Sequence, residues 1–165
     1  MPDHVVDTNV LLVASAAHPY SPFDDTHVPL DEQLQVLDWL VEFGRDDSRR
    51  LVLDDVLAIY EEYRHKLTEQ DVGLQVIHAK MQAHRVVSLE WDADGHAIVP
   101  EALQACDRSD RKFLAAALTD VKGISIVNAA DSDWIEIEDV LKDAGVVVHH
   151  LIEAWLRAAI AERDR

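Results

Sequence analysis

The sequence contains little cysteine and little glycine, and it has no long apolar run. Cys106 is the single cysteine in 165 residues, which excludes an internal disulfide and a cysteine-based zinc cluster. With only five glycines there is no glycine-rich phosphate-binding loop. No run approaches the roughly 18 apolar residues that would span a membrane, and the N-terminus lacks the basic region of a secretion signal. We therefore expect a cytoplasmic protein without a membrane segment.

The composition is that of an ordinary globular chain with an unusually acidic balance. Hydrophobic residues make up 48% and charged residues 28%, and the formal net charge is −17. A chain of this length is most simply one domain, covering residues 1–165. The negative charge argues against a protein that coats nucleic acid. It does not exclude a nuclease, because salt screens distant charges and a bound cation neutralises nearby ones.

Short apolar segments alternate with amphipathic ones along the chain. Several of the short segments are continuously apolar, which is typical of parallel strands covered on both faces. The pattern predicts an α/β fold with a central parallel sheet and helices on both faces, a three-layer α/β/α arrangement. The predicted strands are 4–7, 51–53, 86–89, 124–127 and 146–148. The predicted helices are 8–16, 30–43, 55–67, 71–84, one after Pro100, one starting at Asp110, 140–144 and 151–162.

Four acidic residues stand near predicted strand ends or on helices beside them. Asp7 follows the first strand, Glu62 lies in the 55–67 helix, Asp110 begins a helix, and Asp131 follows the 124–127 strand. In a parallel sheet such positions gather along one edge. Clustered carboxylates are costly unless a cation compensates them, and Mg²⁺ or Mn²⁺ prefers oxygen ligands. The pattern therefore indicates metal-assisted hydrolysis of phosphodiesters, in which bound metal activates water and stabilises the leaving oxygen.

Each acid also has a purely structural interpretation. Asp7 and Asp110 could cap the helices that follow them. Glu62 could be a solvated helix residue, and Asp131 and Asp133 could be turn residues. The joint occurrence of all four in suitable places favours the metal site over these separate interpretations.

Four segments carry a resemblance to a known family. They are 5–12 (VVDTNVLL), 59–67 with IYEEY followed by Leu67, 107–117 (DRSDRKFLAAA) and 126–134 (IVNAADSDW). Together they resemble the motifs of the PIN-domain nucleases over nearly the whole chain. The resemblance implies a Mg²⁺- or Mn²⁺-dependent endoribonuclease that cleaves single-stranded or structured RNA. It also implies a homodimer, and a possible antitoxin partner, since many relatives are toxins of toxin–antitoxin pairs.

The resemblance also assigns roles to individual residues. Asp7 and Asp110 would be the most direct metal ligands, and Glu62 and Asp131 would complete the site directly or through water. Glu61 is an alternative to Glu62, and Asp133 an alternative to Asp131. The remaining predicted site residues would support Asp7 by hydrogen bonds (Thr8 and Asn9) or hold the RNA backbone (Arg108, Arg111 and Lys112).

Two other functions fit parts of the pattern. A catalytically inactive PIN-like module that binds a protein partner would keep the fold without metal chemistry. A receiver-like phosphoacceptor would also cluster aspartates on an α/β sheet, but it needs a lysine at a late strand end, where this chain has Asn128. The four tryptophans are scattered and are best interpreted as core or interface residues, not as a base-stacking platform.

Overall fold

The fold was obtained as a computed structural model that describes residues 3–90, 110–119 and 123–165. Asp92 and Gly95 predict a turn, but residues 92–95 lie outside the described residues, as do the helix predicted after Pro100, Cys106 and Arg108. Within the described part, no helix is both long enough and apolar enough to cross a membrane.

The core of the fold is a five-stranded sheet in which every pairing is parallel. The strands are β1 (Asp3–Val6), β2 (Arg50–Asp54), β3 (Val86–Leu89), β4 (Ile124–Asn128) and β5 (Val147–His150). Their spatial order is β3-β2-β1-β4-β5. All five predicted strands are confirmed, with bounds that differ by at most two residues.

Helices cover both faces of this sheet, as predicted. They are α1 (Thr8–Ala17), α2 (Leu30–Arg45), α3 (Ala58–Lys66), α4 (Val72–Gln82), α5 (Arg111–Thr119), α6 (Asp133–Glu136), α7 (Glu138–Asp143) and α8 (Glu153–Arg163). The chain steps from β1 to β2 to β3 in one direction and from β3 to β4 to β5 in the other. Because crossovers between parallel strands are right-handed, the two directions place their helices on opposite faces. Helices α1, α2 and α4 pack together, while α5 packs on β1, β2 and β4.

The central strands are buried because they have helices on both sides. All four residues of β1 are buried, and so are the last four of β2. The apolar side chains of these strands pack with those of α1, α2 and α5 in one continuous core. This explains why the apolar residues of these strands, at 5–6 and 51–53, are consecutive instead of alternating with polar ones.

The start of α3 differs from its prediction. The sequence predicts a helix from residue 55, with Asp54 before it in the position of an N-cap, but Asp54 ends β2 and the helix begins at Ala58. The buried Asp54 carboxylate accepts the backbone N–H groups of Ala58 and Ile59 at 2.8 and 2.9 Å. It therefore does cap the helix, but across a turn in which Leu57 adopts a positive φ of 59°. The 140–144 helix also differs, because two short helices, α6 and α7, occupy this region.

Helices α1 and α4 approach so closely that only glycine fits at position 73. A Cβ on Gly73 would lie 2.8 Å from both the carbonyl oxygen and the Cβ of Leu11. The N–H of Gly73 also donates to the Ser15 hydroxyl at 2.9 Å. This contact fixes α1, whose N-cap is Asp7, against α4.

We expect Gly73→Ala to destabilise the protein by about 1–3 kcal/mol. Alanine is the better helix former by about 1 kcal/mol, but the atoms it would strike belong to a backbone and a Cβ and cannot move aside easily. The measurement is the free energy of unfolding from urea denaturation.

Gly44→Ala is the matched control for this substitution. Its Cβ would meet the Cγ1 of Val76 at 3.2 Å, and this is the end of a side chain that can shift. We expect a change of less than about 1 kcal/mol. Equal losses in the two variants would contradict the close approach at Gly73.

Candidate metal centre

The candidate site lies where the strand order reverses, between β1 and β4. Asp7 directly follows β1, and its N–H donates to the Val127 carbonyl at 3.1 Å. Asp131 comes three residues after Asn128, the last residue of β4. Open parallel sheets form their ligand crevice at this reversal, outside the carboxyl ends of the strands.

Three of the four predicted acids meet at this position. Carboxylate oxygens of Asp7, Asp110 and Asp131 all lie within 4.8 Å of one another. Opposite oxygen ligands of one Mg²⁺ ion stand about 4.2 Å apart, since each metal–oxygen distance is about 2.1 Å. The limit of 4.8 Å is slightly above this spacing, so the group is close to the size that one such ion needs, and its donors are the hard oxygens that Mg²⁺ and Mn²⁺ prefer.

Asp7 is held in place through both of its carboxylate oxygens. One oxygen accepts the backbone N–H of Asn9 at 3.0 Å, so Asp7 is also the N-cap of α1. The other accepts the indole N–H of Trp134 at 2.6 Å. Asp7 is 4% exposed and Trp134 is 1% exposed. The structural interpretation of Asp7 as a cap and its membership of the acid group are thus both true.

Burial makes the negative charge of Asp7 costly. Desolvation by burial and, to a smaller extent, the nearby Asp131 carboxylate raise the pKa of Asp7 to about 6. Hydrogen bonds from the backbone and side chain of Asn9 and from Trp134 act in the opposite direction. A cation beside Asp7 would stabilise its ionised form. Because a carboxylate binds metal in the ionised form, metal binding at Asp7 is coupled to the release of its proton.

Two helix N-termini face the acid group. Asp7 precedes α1, and Asp110 precedes α5, where its carbonyl accepts the N–H groups of Phe113 and Leu114 at 3.1 and 3.2 Å. The N-terminal end of a helix carries partial positive charge. The fold thereby compensates part of the repulsion between the carboxylates.

An amide bracket joins the loop after β4 to α1. The Asn9 side chain donates to the Asn128 side-chain oxygen at 3.0 Å and accepts the N–H groups of Ala129 and Ala130 at 3.0 and 2.9 Å. Asn128, fully buried, in turn exchanges hydrogen bonds with the backbone of Asp131 at 2.9 and 3.2 Å. This bracket sets the distance between Asp7 and Asp131, so Asn9 has a positioning role, as predicted from its motif.

Tyr63 and Trp134 position Asp7 but were given no role from the sequence. The fully buried Tyr63 hydroxyl donates to the carbonyl of Val6, the residue before Asp7. Trp134 reaches Asp7 from 127 positions away in the chain. Each stands within a motif segment, directly beside Glu62 and Asp133 respectively, and that adjacency is the only signal the sequence offers.

Glu62 lies beside the three acids but is not one of the group. Its carboxylate accepts a hydrogen bond from the Thr8 hydroxyl and forms an ion pair with Lys112 at 2.6 Å. Thr8 thus supports Glu62, whereas the sequence led us to expect it to support Asp7. Glu61 is exposed and lies 3.7 Å from Arg64, so Glu62 is the member of the pair that faces the site.

The remaining predicted residues surround this arrangement. Asp133 donates its backbone N–H to the Asp131 carboxylate at 3.0 Å, and its own carboxylate is not in the group, so the geometry favours Asp131. Lys112 and Arg111 are half-buried at the start of α5, and Lys112 is engaged with Glu62. Arg108 lies outside the described residues.

Comparisons with protein-family models, with curated proteins and with solved structures found no match to this chain. The resemblance to the PIN-domain nucleases therefore remains a prediction from the motifs. The function has to be argued from the arrangement of the chain's own residues.

The raised pKa of Asp7 predicts how stability depends on pH in metal-free buffer. Between pH about 4 and 6 the folded protein keeps a proton that the unfolded chain has released, so the contribution of Asp7 to stability falls as pH rises. One pKa unit corresponds to about 1.4 kcal/mol of stability, so the total loss of stability across the titration of Asp7 is about 3 kcal/mol. Asp7→Asn does not titrate and should lack this loss.

The measurement is the free energy of unfolding of both proteins at several pH values in the presence of a chelator. Between pH 4 and 7 we expect the free energy of unfolding of Asp7→Asn to rise by about 2–3 kcal/mol relative to that of the wild type. The asparagine also loses one acceptor oxygen, but that cost is the same at every pH. Parallel stability curves would show that Asp7 is not perturbed.

Proposed function

We propose that this protein is a PIN-like, Mg²⁺- or Mn²⁺-dependent endoribonuclease that cleaves single-stranded RNA. The observation that carries the proposal is the convergence of Asp7, Asp110 and Asp131, which come from three distant parts of the sequence. The motif resemblance supplies the substrate class, and the parallel sheet with its crevice is the architecture that the resemblance implies.

The three aspartates would hold the ion at the carboxyl edge of the sheet. When bound, the ion supplies Lewis-acid assistance to water and compensates charge at the phosphodiester. Asp7 anchors the site, because Trp134 and Asn9 fix both of its oxygens. Asp131 is half-buried and stands at the open side, where it can orient a water molecule toward the phosphorus.

The reaction follows from this placement. A water oxygen attacks the phosphorus in line with the P–O3′ bond, which breaks, and the proton that the water gives up passes through solvent to the leaving 3′-oxygen, which departs as a hydroxyl. The products then carry a 5′-phosphate and a 3′-hydroxyl. Lys112 and Glu62 form an ion pair beside the site, so together they line it with polar groups and contribute no net charge.

The homodimer and the antitoxin belong to the same proposal and are supported by the motif resemblance. A basic segment of a partner would complement the formal charge of −17. An inactive PIN-like interaction module is the alternative function, and metal binding separates the two.

We expect Asp7→Asn and Asp110→Asn each to lower the cleavage rate of single-stranded RNA at least 100-fold at saturating Mn²⁺. Each substitution removes a ligand charge with little change of shape. The measurement is the initial rate on a labelled oligoribonucleotide, with circular dichroism to confirm the fold.

Asp143→Asn is the matched control, since it removes one exposed carboxylate from α7, away from the acid group. It should retain the wild-type rate. Full activity in purified Asp7→Asn protein would disprove the site.

Calorimetric titration tests the metal directly and does not depend on cleavage. We expect Mn²⁺ to bind to the wild type and binding to weaken at least tenfold in Asp110→Asn, because one of three ligand charges is lost. Binding should also weaken as pH falls below about 6, where Asp7 takes up a proton. No binding to the wild type at millimolar Mn²⁺ would favour the inactive module.

A further inference from the structure

A cavity adjoins the acid group on the side of Asp131. Its volume is about 380 Å³, and it lies between the loop after β4, helix α8 and the loop that precedes α2. Asp131 belongs both to the lining of this cavity and to the acid group, so the cavity lies next to the candidate metal centre. The volume is within the range of small-ligand sites.

The walls of the cavity are aromatic and apolar. Trp155 is half-buried and lies beside His27, with ring centroids 5.7 Å apart. Ala159 and Ile160 of α8 form an apolar side. An indole ring beside small apolar groups suits a flat ring system, since stacking on tryptophan is favourable for any base.

The charge at the rim disfavours an anion as the occupant. Arg163 contributes a cation to the cavity, but it forms ion pairs with Glu136 at 2.7 Å and with Asp164 at 3.1 Å. Its guanidinium also donates to the Ser132 hydroxyl at 3.3 Å. In a chain with a formal charge of −17, a neutral group with polar edges fits this place better than a phosphate does.

We propose that this cavity receives one unpaired nucleobase of the RNA substrate, stacked on Trp155, while the adjoining phosphodiester lies at the acid group. The inference rests on the proposed ribonuclease function and deepens it. A base within a duplex has its faces covered by its neighbours and its edge paired, so it cannot enter. The cavity thereby gives the enzyme its requirement for single-stranded substrate.

Two substitutions test the cavity in opposite ways. Trp155→Leu removes the stacking ring, and Ala159→Leu fills the cavity without removing any contact. Each should raise KM for a single-stranded oligoribonucleotide about tenfold with little change of kcat, because the lost contact is one of binding. Thermal unfolding of each variant shows whether the fold is retained.

The matched controls lie on the same helix. Ala158→Leu adds the same bulk at the neighbouring, exposed position of α8 and should leave KM unchanged. Trp155→Phe keeps an aromatic face and should restore most of the affinity. Cleavage by Trp155→Leu and Ala159→Leu with wild-type KM would overturn the nucleobase cavity and leave the ribonuclease function standing.

A binding measurement separates this inference from the activity. A single-stranded oligouridylate or oligoadenylate is titrated into Asp110→Asn protein, with tryptophan fluorescence and RNA anisotropy followed together. We expect quenching on binding, and its loss in the Asp110→Asn, Trp155→Phe double variant while anisotropy still rises. If the wild type cleaves no RNA, the ribonuclease proposal fails, and quenching from Trp155 would still support the base cavity. No quenching of Trp155 would overturn the cavity.

Discussion

The arrangement of this molecule depends on bringing carboxylates together around one deeply buried aspartate, Asp7. Asp7 is buried at the end of the central strand, and its pKa is raised to about 6 because its charge is poorly solvated there. Asp110 and Asp131 bring two more acids within 4.8 Å. Such a group is unfavourable by itself and becomes favourable when a divalent cation joins it. Natural proteins retain local costs of this kind mainly at functional sites.

The surrounding structure limits this cost without cancelling it. Hydrogen bonds from Trp134 and Asn9 favour the ionised form of Asp7, and the N-termini of α1 and α5 present partial positive charge to the group. Lys112 forms an ion pair with Glu62 beside the three aspartates. Each aspartate adds negative charge that a divalent metal ion at this position would compensate.

The same edge of the sheet also offers a place for a substrate. The cavity beside Asp131 is apolar and aromatic, whereas the acid group is polar and anionic. A nucleotide has the matching division into a flat neutral base and a charged phosphodiester. The strongly acidic composition is consistent with this interpretation, because recognition through the base needs no basic surface and the phosphate would be held through the ion.

The sequence by itself was sufficient for the fold class and the five strands, and it pointed to three acids that the structure brings together. This information is local: continuous apolar runs indicate strands covered on both faces, and an acid directly after a strand must lie at the sheet edge. The start of α3 was predicted three residues too early. The Asp54 carboxylate caps Ala58 across a turn, and the spacing of apolar residues gives no indication of such a turn.

Tertiary structure alone decided which side chains touch. The indole of Trp134 is 127 positions from Asp7, and Thr8 turned out to support Glu62. It also decided that Glu62 pairs with Lys112, and that Trp155 lines a cavity next to Asp131. A sequence pattern gives the face and the edge on which a residue lies. Which neighbours share that edge depends on the strand order β3-β2-β1-β4-β5, and this order is set by how distant helices pack.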